Sequence, residues 1–174
     1  MGYEMKPGDI GFAHTTGIIG KAIRVGEALR GNKNGAKWNH AFLLSEQLPD
    51  GDWLIIQAEA HGVTCDKRLS QVAPNGHYEI IPLPNYRVKR ENVMVFANQQ
   101  VGAKYGIVTI LSCVLDILLP DAICLRRANT WICSGLVAAS LMFGGWWDII
   151  GAAKQDIYTI TPAELHDLMV NQQV

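Results

Sequence analysis

Two stretches of alternating residues, 37–44 and 53–60, flank a Leu48-Pro-Asp-Gly-Asp52 turn. That pattern commits the middle of the chain to an antiparallel hairpin. A period of two places Trp38, His40, Phe42 and Leu44 on one face of the first strand. It also sets Gln57 and Glu59 side by side on one face of the second. Further strands are expected over 62–68 and 78–83, with a short one following Pro7-Gly8, giving a meander of four or five strands. An amphipathic helix is expected earlier, over 17–30. Its Ile18, Ile19, Ala22, Ile23 and Leu29 share one face, with Lys21, Arg24, Glu27 and Arg30 opposite; a loop over 31–36 follows. After Pro84 the period changes to that of helices. Val93, Phe96, Ala97 and Val101 mark one, and the apolar run from Gly106 to Leu119, stopped by Pro120, marks another. Thr161-Pro-Ala-Glu164 matches a capping box with proline at the first helical position, opening a helix through Met169. One helix, a sheet and then helices define a single α+β domain over 1–174.

A chain of 174 residues, 49% of them hydrophobic, is long enough to bury a core. The net charge of −1 and the scattered basic residues speak against binding built on phosphate contacts, so no nucleic-acid partner is expected. Cys65, Cys113, Cys124 and Cys133 form no Cys-x-x-Cys pair, and His61 with Cys65 lacks a second pair at ligand spacing. No metal and no cofactor is therefore expected. The first residues lack the apolar core of a signal peptide. Free thiols and a cytoplasmic location are expected, or delivery by a non-classical route or within a virion. Lys6 stands where a myristoylation signal requires Ser or Thr. The run from Tyr105 to Leu119 carries Asp116 and is shorter than the roughly twenty residues a membrane span needs. A buried helix is expected there, with contact to a membrane surface left open.

The chemistry-bearing stretch is 129–143, read as a helix with Thr130 as its N-cap and Cys133 in its first turn. Leu136, Val137, Ser140 and Leu141 follow Cys133 along one face. Unpaired N–H groups and the macrodipole stabilise a thiolate at such a position. The other reading is a small apolar residue packed where the helix enters the core. A nucleophilic cysteine needs a histidine. His14, at a strand end, reads as cleft-lining or capping. His61, His77 and His166 are expected to be solvated. His40 lies within a strand and is withdrawn from water, so it needs a partner, either backbone or Cys133. Gln57 or Glu59 is placed to accept from its ring and fix the tautomer; Glu59 also reads as a solvated edge carboxylate.

Five phrases then form a series: Pro7-Gly-Asp-Ile-Gly11, Trp38-Asn-His-Ala-Phe-Leu-Leu44, Ile55-Ile-Gln-Ala-Glu-Ala-His-Gly-Val63, Trp131-Ile-Cys-Ser-Gly-Leu-Val137 and Thr161-Pro-Ala-Glu-Leu165. The series resembles the circularly permuted NlpC-type papain-like cysteine hydrolases, relatives of the lecithin:retinol acyltransferase group. In that group the histidine strand precedes the cysteine helix. The resemblance implies a papain-like fold with an antiparallel sheet of four to six strands and the nucleophile at a helix N-terminus. It implies Cys133 as nucleophile and His40 as general base and then acid. The family's third residue, usually a glutamate followed by alanine, aligns with Gln57 or with Glu59. Ser134, Trp131 and Tyr105 are assigned to the oxyanion site and cleft, although Tyr105 also reads as packing. The implied activity is a peptidase or amidase, with cell-wall peptides as the substrate class the resemblance suggests. A thioesterase or acyltransferase is the alternative, with 107–119 and Phe143-Gly-Gly-Trp-Trp147 as an acyl groove or membrane surface, unless both segments are core packing. A non-catalytic module of a viral or secretion assembly is the third reading.

Overall fold

The computed structural model describes residues 3–15, 37–84, 88–106, 130–146, 157 and 160–171. The expected helix over 17–30, the loop over 31–36, the apolar run over 107–119, Cys113, Cys124 and Trp147 lie outside these residues. The described strands are β1 (Ile10–Ala13), β2 (His40–Gln47), β3 (Trp53–Glu59), β4 (Gly62–Arg68), β5 (Tyr78–Ile81), β6 (Lys104–Tyr105) and β7 (Thr130–Trp131). The helices are α1 (Leu69–Val72), α2 (Arg90–Gln99), α3 (Cys133–Phe143) and α4 (Pro162–Asn171). The architecture is α+β.

β1 to β5 form one antiparallel sheet in the order β4-β3-β2-β1-β5. The first four strands are the expected meander. β5 returns to the free side of β1, so the two amino-terminal strands lie centrally. β1 is held close to β2 by Gly11, which faces Phe42 in the register. A Cβ there would come within 2.0 Å of the Phe42 ring, so only glycine fits. β6 and β7 make a separate parallel pair of two residues each. Such short strands carry no period and were not legible in the sequence.

The sheet separates two clusters. Ala41, Leu43, Ile56 and Ala58 face α3 and pack with Leu136, Val137 and Leu141. Phe42, Leu44, Trp53 and Ile55 face the other way, under Leu69 of α1 and Ala73. Trp38 departs from the expected face and joins the first cluster. It precedes the strand, where the Asn39 side chain is bonded to the backbone and hydroxyl of Thr15 and takes the chain out of the pleat. α3 differs more from expectation. Every residue from Cys133 to Leu141 is buried, so the helix has no polar face. It lies between the sheet, α2 and α4 and forms the centre of the core. Burying Leu136, Val137 and Leu141 contributes about 1.5–3 kcal/mol each relative to exposure.

Thr130 is not the N-cap of α3. Ile132 holds that position with extended backbone and no side-chain cap, because Thr130 and Trp131 are committed to β7. At the other end of the chain the capping box forms as expected. Glu164 Oε2 accepts from Thr161 N at 2.9 Å, and Glu164 N donates to Thr161 Oγ1 at 3.2 Å. α4 also places His166 differently from the solvated expectation. Its ring meets Phe12 edge-on at 5.0 Å, and its Nε2 lies 3.3 Å from Glu79 Oε2. The cause is the docking of α4 on the sheet, which buries Leu165 and Met169 and draws in the residue between them. His61 and His77 are exposed.

Asp9 of the first motif is fully buried. Its carboxylate accepts from Tyr3 Oη at 2.6 Å, Lys6 N at 2.8 Å, Leu83 N at 3.1 Å and Arg90 Nη1 at 2.9 Å. One side chain thus ties the amino-terminal segment to the chain beyond β5 and to the start of α2. Among the described residues no helix is long and apolar enough to cross a membrane.

Candidate active site

The site forms where β2 and β3 part. Their pairing runs from Leu43↔Ile56 to Gln47↔Trp53, leaving His40 and Ala41 beyond it. Continuing that register, His40 lies diagonally across from Gln57 on the same face. The two side chains meet there, with His40 Nε2 2.7 Å from Gln57 Oε1. Both are buried, His40 at 9% exposure and Gln57 at 1%.

The sulfur arrives from the opposite side of the sheet. Cys133 is the first residue of α3, which packs against the other face, lined by Ala41, Leu43, Ile56 and Ala58. The groups that act on the Cys133 side chain are the His40 ring and, more weakly, the backbone N–H groups of Ala41 and Ser134. Nε2 of the ring is engaged with Gln57, so Nδ1 is the atom left for sulfur. The Ala41 N–H is available because β3 does not pair with that residue. The Ser134 N–H is available because no side chain caps α3.

Burial opposes charge on both groups, and their mutual interaction outweighs it. His40 is desolvated, but its hydrogen bond and charge interaction with Cys133 raise it above the ordinary imidazole value, assisted by Gln57 and by the charge of Glu59. Cys133 is likewise desolvated, yet the His40 hydrogen bond and charge, with the two backbone donors, bring it below the ordinary thiol value. The arrangement favours a thiolate–imidazolium pair. Cys65, the other described cysteine, is half-buried and donates to Ser45 Oγ at 3.4 Å.

Gln57 and Glu59 do not compete for one position. Gln57 touches the ring, whereas Glu59 is half-buried at the end of β3 and acts on His40 and Tyr105 through its charge. Tyr105, on β6, is raised above its ordinary value by burial first and then by the charges of Cys133 and Glu59, so its phenol stays protonated. The remaining assigned residues face elsewhere. The Ser134 hydroxyl donates to the Ile160 carbonyl, leaving only its backbone N–H for the sulfur. The Trp131 indole donates to Gln100 Oε1 at 3.0 Å and meets Phe96 edge-on, toward α2. Its backbone instead pairs with Tyr105 and accepts Gly106 N–H, which holds Tyr105 within reach of the charge at Cys133. Trp146 of the proposed acyl-groove segment is buried in the core at 1% exposure, while Phe143 is 52% exposed.

Two contributors escaped the sequence reading. A backbone donor such as Ala41 N–H leaves no compositional trace. Thr64 stands opposite Gln57 on β4, and its place depends on a register shift. Among the described residues no group of three or more His, Cys, Asp or Glu side chains is arranged to hold a metal. No protein-family model matches the chain, and no curated protein matches it.

Proposed function

We propose that this protein is a cysteine hydrolase of the permuted NlpC-type, papain-like kind, with Cys133 as nucleophile, His40 as base and acid, and Gln57 as the orienting residue. The observation that carries the proposal is the position of His40, buried between the Cys133 sulfur and Gln57 at the first residue of α3. A buried thiol serving only as packing needs neither a titratable partner nor two backbone donors. The motif order, with the histidine strand ahead of the cysteine helix, supports the permuted architecture.

In the proposed reaction the thiolate attacks the acyl carbon of an amide, forming a C–S bond as the carbonyl π electrons move to oxygen. N–H groups at the start of α3, that of Cys133 among them, hold the oxyanion. His40 gives its Nδ1 proton to the leaving nitrogen as the C–N bond breaks. A water then loses a proton to His40, attacks the acyl-enzyme and releases the thiolate. Gln57 Oε1 accepts from Nε2–H throughout, which keeps Nδ1 facing the sulfur. The resemblance selects an amide as substrate, with cell-wall peptides as the class to try first.

An iodoacetamide probe applied across pH tests the reading. Cys133 should label selectively below pH 7, and Cys133→Ala should abolish that labelling. Uniform reactivity of all thiols, rising only near the ordinary value of about 8.5, would sink it. With selective labelling in hand, turnover of peptide amides against long-chain thioesters decides the substrate class. Preferential turnover of the thioesters would replace the amidase reading with the acyl-transfer one.

A further inference from the structure

The amide of Gln57 has two unlike ends. Its Oε1 faces His40 Nε2 at 2.7 Å, but its Nε2 is buried and has no hydrogen-bond partner. Thr64 Oγ1 is also buried without a partner. These two atoms belong to residues directly opposite each other in the β3–β4 register. Such cross-strand pairs have Cβ atoms roughly 4.5–5.5 Å apart and present their side chains on one face.

The juxtaposition is built by a bulge. The register runs Leu54↔Arg68 and Ile55↔Lys67, then shifts to Gln57↔Thr64 and Ala58↔Val63. Without the shift Cys65 would stand opposite Gln57, offering a weak sulfur acceptor. With it, Cys65 packs against the α3-side cluster and a hydroxyl takes its place.

We infer that Thr64 is a positioning residue for His40, its hydroxyl accepting the Gln57 amide N–H, directly or through one water, so that Oε1 of the same amide is held toward the imidazole. The inference rests on the hydrolase reading. A carboxylate in place of Gln57 is symmetric and needs no such control. An amide does, because a flipped Gln57 would set N–H against the N–H of the imidazolium and favour the ring that lacks a proton on that side. A threonine hydroxyl suits the task, since it both accepts and donates. The row Thr64, Gln57, His40, Cys133 then runs across three strands to the helix.

The test uses the full-length chain and the rate of Cys133 alkylation against pH. In the wild type, selective labelling below pH 7 must be present; its absence overturns the hydrolase reading itself. Given that baseline, Thr64→Val should lower the rate at pH 6 by about threefold to tenfold, the size of one lost hydrogen bond. It should also move the inflection toward the ordinary thiol range. Thr64→Ser should restore the wild-type profile. In a Gln57→Glu background the valine substitution should change nothing. An unchanged Thr64→Val profile, failure of serine to rescue, or an equal loss in the glutamate background overturns the inference. A wild-type crystal structure gives a reading independent of folding in the variants. Thr64 Oγ1, or a water it binds, within hydrogen-bond range of Gln57 Nε2 supports the assignment. A Gln57 amide bonded elsewhere defeats it.

Discussion

Asp9 and the Cys133–His40–Gln57 row are two buried polar sites supported by the same sheet, and they are satisfied to different degrees. Asp9 has four donors from four separate residues. That matches the roughly four lone-pair positions of a carboxylate. The row is incomplete. Of the four buried side-chain polar atoms without a partner among the described residues, two belong to Gln57 and Thr64, and the others are indole nitrogens. Asp9 joins segments distant in sequence and uses its full capacity to do so. The row keeps capacity in reserve on neutral side chains, Gln57 and Thr64, which stand behind the groups whose charge would change in the proposed reaction. A buried charge therefore reads as structural when its partners are complete, and as a candidate for chemistry when it faces a titratable partner backed by unsatisfied polar groups.

Exchanging the two sites' losses is the severest test of that contrast. His40→Ala should reduce turnover by about 10²–10⁴, the range for a lost acid–base group, with a stability loss of only about 1–3 kcal/mol from the orphaned Gln57 acceptor. Asp9→Ala should do the reverse. It removes one acceptor from Arg90, which is 23% exposed, and the acceptor of three further donors. The expected loss is about 3–5 kcal/mol of stability by denaturant unfolding. Selective labelling of Cys133 should survive in whatever fraction stays folded. If Asp9→Ala left stability intact and abolished labelling, the division between the sites would collapse.

The two sites were not equally legible in the sequence. His40 drew notice because a histidine inside an alternating strand must be buried. Cys133 did so because its segment reads as a helix start. Both inferences rest on local periodicity. Asp9 is legible only as part of a motif, since its partners Leu83 and Arg90 lie more than seventy positions away and no local pattern links them. The Gln57–Glu59 ambiguity had the same origin. Period two shows that both share a face, but only the register with β2 shows which one meets the ring. Thr64 was invisible because a bulge overrides the simple register. The complete burial of α3 exceeds the one face that spacing marks from Cys133 to Leu141, because packing on all sides is set by the sheet, α2 and α4. Ser134 and Ser140 satisfy themselves on the Ile160 and Leu136 carbonyls.

pH separates the sites at intermediate strength. The folded-state value of His40 is raised, so its contribution to stability is complete below the unfolded value and is lost as pH rises through the folded one. The folded-state value of Cys133 is lowered, so its contribution is present above the unfolded value and is lost as pH falls through the folded one. The ion pair exists between the lowered thiol value and the raised imidazole value. Turnover should follow a bell across that window, losing the thiolate on the acid side and the proton donor on the alkaline side. In His40→Ala the acid limb of alkylation should move up to the ordinary thiol range. An acid limb left in place would mean that the helix terminus and backbone donors alone depress the thiol, with the imidazole a bystander.

The smallest effect belongs to Glu59, and it probes whether charge and contact are divided between neighbours on β3. Gln57 touches the imidazole and is neutral, whereas Glu59 is charged and acts from the strand end. Glu59→Gln preserves shape and removes only the charge. The alkaline limb of the turnover profile should then shift to lower pH, because one of the influences raising His40 is gone. Turnover at the optimum should change by no more than a few-fold, as is usual for a partly screened charge. Gln57→Leu, by contrast, removes the contact, leaves Nε2–H buried and unpaired, and should lower turnover at every pH. If Glu59→Gln proved as damaging as Gln57→Leu across the whole profile, the carboxylate would be the true orienting group. The 2.7 Å bond to Gln57 would then be incidental to the chemistry.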